Sequence, residues 1–322
     1  MIRRQVDRLP RAASTSSATR VRATGDGDLA SGPARPVRRL PFAGPASGDR
    51  GPASSKNTPR MSSAHWNEIA RKKNVSPRLW RDFSDLVHSD LLEQWLAPSG
   101  YLRTLKTDLF DEAMGTRGLV QDLVERSEQV YGIDLSGEIV DSVRPRFPLL
   151  EASMGDVRAL AFPSDHFDLV VSNSTLDHFE NEGDILASLV ERHRVTRPGG
   201  TCLVTMDNFA NPLIRLRQAL PFKPLHRLGV LPYYVGHTVS PGGLVTALVK
   251  AGFQVDAQTC IMHVPRLPAV WLCRVVEWVG LPALKSATLS FLFAFEKLKL
   301  WPTSHLSGYF SVCLASKSTP SV

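Results

Sequence analysis

Short apolar runs recur along the chain, and four of them stop on or just before a polar residue. Residues 129–134 end on Asp134, 149–154 lead to Asp156, 167–173 end on Asn173, and 201–206 lead to Asp207. Runs of this length bounded by turn residues read as buried strands, and the intervening segments 119–126, 138–143 and 182–193 carry helical spacing. Strand and helix in alternation predict a doubly wound α/β sheet with polar strand endings along one edge. Residues 101–110 supply a first strand, 253–263 a sixth after a helix over 242–251, and 307–316 a seventh, antiparallel beside it. Ahead of the sheet, 62–96 turns helical: Trp66, Ile69 and Ala70 precede a break near Pro77, and Leu79, Trp80, Phe83, Leu86, Val87, Leu91, Leu92 and Trp95 follow at three-four spacing.

The chain has 322 residues, 43% apolar and 21% charged, enough core for one large domain or two small ones. Its formal charge of +7 is local in origin. Residues 1–60 hold eleven Arg and one Lys against Asp7, Asp26, Asp28 and Asp49, a net +8 that leaves the remainder near −1. The basicity therefore describes a tail, and no nucleic-acid partner is expected for the folded body. That tail is rich in Arg, Ser, Ala, Gly and Pro without apolar periodicity, so disorder is expected. Two other readings stand: an organelle transit peptide, and a shorter product starting at Met61. Outside the transit reading, the expected compartment is the cytoplasm. Cys202, Cys260, Cys273 and Cys313 lack C-x-x-C spacing and read as core thiols, with neither a metal site nor a disulfide frame expected. No apolar run reaches the roughly 18 residues of a membrane span.

Four polar strand endings in order imply a nucleoside-type ligand along one sheet edge. Gly132, Asp134 and Ser136, then Asp156, Val157, Phe162, Pro163, Phe167, Asp168 and His178, then Arg194, Pro198, Gly199 and Gly200, follow in a distinctive order. That order resembles the class I S-adenosylmethionine-dependent methyltransferases, in particular the small-molecule branch with the ubiquinone and menaquinone methyltransferases, the methyltransferase type 11 domain. The resemblance covers about residues 102–253. It implies a Rossmann-like seven-stranded sheet, six strands parallel and the last antiparallel, with helical additions. It also implies S-adenosyl-L-methionine as cofactor and in-line methyl transfer to a small-molecule acceptor, quinone-like or lipid-like. The corresponding map is a tail over 1–60, a helical lid over 61–100 and a core over 101–263 with an acceptor-pocket insertion at 209–240. A helical insertion over 264–305 and a last strand with its tail over 306–322 complete it.

On the same resemblance, Asp134 takes the ribose hydroxyls beside Leu135, and Asp156 and Val157 hold adenine. Asn173 and Ser174 floor the site of the transferred methyl. His178 is the base where the acceptor needs one, with Asp177 orienting it and His237 or His263 as second choices. The first motif departs from the family pattern. Its glycine-rich turn is replaced by Asp108, Asp111 and Glu112, with Gly115 and Gly118 arriving late. Asp108 matches the acid at the end of the first strand, and Glu112 and Gly115 are expected beside the cofactor. Structural readings remain open for each: Asp134 as a helix cap, the acid cluster as a solvated helix start, and His178 as a hydrogen bond closing its loop.

Trp271, Trp278 and Trp301 with Arg274, Lys285, Lys297 and Lys299 give residues 266–302 an interfacial look, suited to a membrane surface or to helices packed on the body. The altered first motif motivates one rival function, a non-catalytic protein of the same fold with weakened cofactor binding. A dehydrogenase is disfavoured because no Gly-x-Gly-x-x-Gly follows the first strand. Oligomeric state is not legible.

Overall fold

In the computed structural model, strand β4 (Phe167–Asn173) is buried along its whole length. The structure describes residues 63–71, 76–115, 118–220 and 235–319; the tail expected over 1–60 and part of the 209–240 insertion lie outside them. Around β4 the described residues form a sheet with β1 (Tyr101–Lys106), β2 (Ser127–Asp134), β3 (Leu150–Met154), β5 (Thr196–Asp207), β6 (Gln254–Ile261) and β7 (Phe310–Ser316). The order is β3-β2-β1-β4-β5-β7-β6. β7 runs antiparallel to both of its neighbours, and the pairings among the first five strands are parallel. The order reverses between β1 and β4, and a doubly wound sheet opens its ligand crevice beyond the carboxyl ends of the strands at such a point.

Helices α1 (Ser63–Arg71) and α2 (Arg78–Trp95) precede the sheet. Pro77, at φ −54°, starts α2, which buries Leu79, Trp80, Phe83, Val87, Leu91 and Leu92 together with His88. Two features differ from the expectation. β1 stops at Lys106, and the chain turns at once into a short helix α3 (Phe110–Met114), followed by α4 (Val120–Val124). β5 begins at Thr196 instead of after the Pro-Gly-Gly turn, because the turn is absorbed as a register shift against Phe167 and Leu169. Gly199 takes φ +74° there, and a Cβ on Gly200 would stand 3.0 Å from the Phe167 carbonyl, so both glycines are required.

Further along come α5 (Gly137–Val143), α6 (Glu182–Val195), α7 (Pro212–Ala219) and α8 (Pro241–Lys250). The core lies between the sheet and these helices, with Phe167, Val170, Leu189, Cys202, Val204, Leu244 and Leu248 among its members. All four cysteines are buried free thiols. Between β6 and β7 the chain makes α9 (Arg266–Val279) and α10 (Pro282–Ala294), then a 3-10 turn (Phe295–Leu300) and a last short helix α11 (Ser304–Ser307). α9 and α10 pack on α2, and Glu277 of α9 accepts the Leu79 amide at 2.5 Å. Among the described residues no helix is long and apolar enough to cross a membrane.

Candidate active site

At the switch point the tips of β1, β2 and β4 and the loop after β3 enclose a cleft of about 840 Å³, open solvent at its mouth included. The volume suits a small-molecule ligand. Asp108, Asp134, Leu135, Asp156, Val157, Asn173, Ser174 and His178 all line it. Trp66 of α1 closes one side, its ring 4.6 Å from that of His178. α1 is held there by Asn67, 2.5 Å from Ser136 Oγ, and by an ion pair between Arg71 and Glu138.

Asp134 is nearly buried; its Oδ1 accepts the Ser136 amide at 2.8 Å and its Oδ2 the Leu109 amide at 3.0 Å. A carboxylate offers about four acceptor sites, so two remain for a ligand. Burial pushes this acid up to about 6, against the pull of those two amides. Asn173 is fixed as well, its Oδ1 accepting Thr205 Oγ1 at 2.6 Å and its Nδ2 donating to Asp111 at 3.2 Å.

Residues 110–204 match the family model described as a methyltransferase domain. A protein from Mycolicibacterium smegmatis named as a probable S-adenosylmethionine-dependent methyltransferase is 26% identical over 145 residues, 45% of this chain and 50% of that one. The demethylmenaquinone methyltransferase of Chlorobaculum parvum is 28% identical over 130 residues, 40% of this chain and 51% of that one. The chain thus spans about half the length of these curated relatives. Among solved structures, an S-adenosylmethionine-dependent methyltransferase from Mesorhizobium loti is 18% identical with a TM-score of 0.47, covering 73% of this chain and 100% of that one.

Residues 110–204 thus carry a methyltransferase domain.

Several residues expected at the site stand elsewhere. Glu112 is fully buried behind the cleft, paired with Lys106 at 2.9 Å and accepting the Leu119 and Val120 amides at 3.0 and 3.3 Å. Its carboxylate is thus committed to closing the turn after β1, which takes it away from any cofactor. Gly115 edges a neighbouring cavity instead of the cleft. Asp177 is buried and lines neither cavity; burial, then the nearby Asp207, raise its pKa. His237 is half-exposed beside Glu182, and His263 is tied between Ser307 Oγ at 2.8 Å and the Cys260 carbonyl at 3.0 Å; neither reaches the cleft.

Asp156 faces the cleft, yet Arg158 fills its acceptor sites. The guanidinium reaches Oδ2 at 2.7 Å and the Arg158 amide reaches Oδ1 at 2.9 Å, with Nε near both oxygens. Burial pulls this acid up, but Arg158 outweighs it and leaves the pKa lowered. Sequence reasoning missed Arg158, Trp66 and Phe179, all in the wall. Arg158 was within reach, because an Arg two residues after a strand-end Asp can fold back on it.

Proposed function

We propose that the chain is an S-adenosylmethionine-dependent methyltransferase acting on a small molecule. The observation that supports this best is Asp134, fixed at the tip of β2 in a switch-point cleft, with two acceptor sites still open. The donor set fits the cofactor. Asp134 would accept the ribose hydroxyls, and the Asp108 and Asp111 carboxylates at the β1 end of the cleft suit an ammonium and a sulfonium. Adenine would lie between Leu135, Val157 and Phe179, read by the backbone at Val157, since the Asp156 side chain is taken by Arg158. Bound there, the cofactor supplies an electrophilic methyl group.

The chain's own contribution is positional: holding donor and acceptor as a near-attack pair is worth about 7 kcal/mol or more. Trp66 and the His178 ring packed against it exclude water from that pair. His178 accordingly belongs to the wall in this reading.

We further propose that α9 and α10 rest on an anionic bilayer surface. Trp271 and Trp278 are 67% and 88% exposed, with Leu281, Phe291, Leu300 and Trp301 also open to solvent. Arg274, Lys285 and Lys297 lie among them. Indole and alkyl side chains interspersed with basic residues suit a headgroup layer.

Titration calorimetry with S-adenosylhomocysteine tests the enzyme reading. Binding is expected in the wild type and at least about tenfold weaker in Asp134→Ala, on the loss of charge-assisted hydrogen bonds. No heat from the wild type overturns it.

A further inference from the structure

A second cavity of about 800 Å³, solvent at its mouth included, adjoins the cleft, and Phe110, Asp111, Asn173 and Ser174 belong to both. Its walls are Trp80, Met114, Met262, Tyr309 and Phe310, an aromatic and thioether lining suited to a flat body. Its ionisable groups are Arg81, Asp85, His88, Asp111, Arg266 and Tyr309.

Three donors converge on this space. Arg81 gives one terminal nitrogen to the Ser76 carbonyl at 2.8 Å, while its Nε is buried without a hydrogen-bond partner. Arg266 donates to the Tyr309 hydroxyl at 2.9 Å, and Arg217 donates to the same oxygen at 2.8 Å. With both lone pairs of that oxygen engaged, the Tyr309 proton is left to be donated. Burial, then Asp111 and Glu112, push Asp85 up to about 8, which leaves two guanidiniums facing the single Asp111 carboxylate that this cavity shares with the cleft.

His88 lines the same cavity. It is 4% exposed, and its Nδ1 donates to the Ser84 carbonyl at 2.8 Å, which leaves the lone pair on Nε2. That Nε2 is buried without a hydrogen-bond partner of ordinary geometry, and the Asn173 side chain interacts with the ring. Ser174 and Met262, also in the wall, hold φ +48° and +58°, strained backbone of the kind that clusters at ligand sites.

We propose that this cavity receives the methyl acceptor, a flat molecule carrying a carboxylate held by Arg81, Arg266 and Tyr309 and a hydroxyl whose proton passes to His88 Nε2. The inference rests on the methyltransferase reading of the adjoining cleft. The hydroxyl oxygen would gain the methyl carbon, the carbon–sulfur bond of the sulfonium donor would break with its electron pair left on sulfur, and the hydroxyl proton would be taken up by His88 Nε2.

The test is calorimetry on the full chain saturated with S-adenosylhomocysteine, using 3,4-dihydroxybenzoate, its amide, and 3,4-dihydroxybenzylamine. The acid is expected to bind at least about tenfold tighter than the amide, the loss typical of one unpaired charged partner. Arg81→Gln and Arg266→Gln should each erase that preference while leaving affinity for S-adenosylhomocysteine unchanged. Equal binding of acid and amide, preference for the amine, or no binding of any probe to the loaded protein overturns the ligand class. In all three cases the methyltransferase reading stands. Failure of S-adenosylhomocysteine itself to bind removes that reading and the inference with it. Nitrogen-15 spectra of the histidines check the base: His88 should show a protonated Nδ1 and a bare Nε2, and the opposite tautomer or an imidazolium excludes it.

Discussion

Lys106 Nζ lies 2.9 Å from Glu112 Oε2, and both side chains are closed off from solvent. The same ammonium donates to the Asp108 carbonyl at 2.7 Å, while the other Glu112 oxygen accepts the Leu119 amide at 3.0 Å. One ion pair therefore ties the tip of β1 to α3 and to the start of α4, at the turn where the family uses glycines. Burial pulls the Lys106 pKa down, but Asp108, Glu112 and Asp111 together carry it above its ordinary value, so it stays charged. Removing one member of such a pair strands the other. Glu112→Ala is expected to cost about 3–5 kcal/mol in urea unfolding, and Lys106→Met with Glu112→Leu to recover much of it. A loss of less than about 1 kcal/mol in the single variant contradicts this account.

Asp134 carries a consequence for pH. Because burial holds it at about 6, its ionised form is scarce in the folded protein near pH 5 and dominant above pH 7. If the ionised form accepts the ribose hydroxyls, affinity for S-adenosylhomocysteine should rise about tenfold from pH 5 to pH 7, as expected for one group titrating midway. Asp134→Asn should flatten that rise. A wild-type profile without a slope contradicts the ribose role.

The strand tips were legible because a run of apolar residues ending on Asp or Asn leaves little else for it to be. Asp134, Asp156 and Asn173 accordingly share one cleft. Glu112 was misread because three acids in five residues look solvent-facing or ligand-facing until their counterion is found. The clue was Lys106, a charge inside an otherwise strand-like run, which can be buried only with a partner. His88 had a comparable signal, since it falls on the apolar stripe of α2. The positions of His237 and Asp177 were beyond sequence reasoning: neighbours along the chain can face opposite sides of a turn, and His178 lines the cleft while Asp177 is buried elsewhere.

Asp85 makes stability depend on pH. Its carboxyl is raised to about 8 in the folded chain from an ordinary value near 3.8, by burial and then by Asp111 and Glu112. Between those values the folded state binds more protons than the unfolded one, so the stabilisation is fully present below pH 4 and is lost as pH rises through 8. Glu296, raised by burial to about 7, adds to the same slope. Asp85→Asn should therefore raise the thermal midpoint at pH 9 relative to wild type, with little gain at pH 5. Equal shifts at both pH values contradict the assignment.

The faces of α9 make the bilayer proposal quantitative. Ala269, Cys273 and Val276 form its buried stripe, and Leu267, Trp271 and Trp278 lie on the opposite side. Burying about 100 Å² of each indole in a headgroup layer, at roughly 25 cal/mol per Å², contributes about 2.5 kcal/mol per Trp. Each of Trp271→Ser and Trp278→Ser should then lower partitioning onto phosphatidylglycerol–phosphatidylcholine vesicles by at least about tenfold. Cosedimentation should also weaken with salt and with neutral vesicles, because the basic residues contribute by attraction to anionic lipid. Affinity for S-adenosylhomocysteine should not change in either variant. If the wild type ignores vesicles but sediments as a dimer that Trp278→Ser dissolves, the exposed face belongs to a second copy of the chain and the bilayer proposal fails.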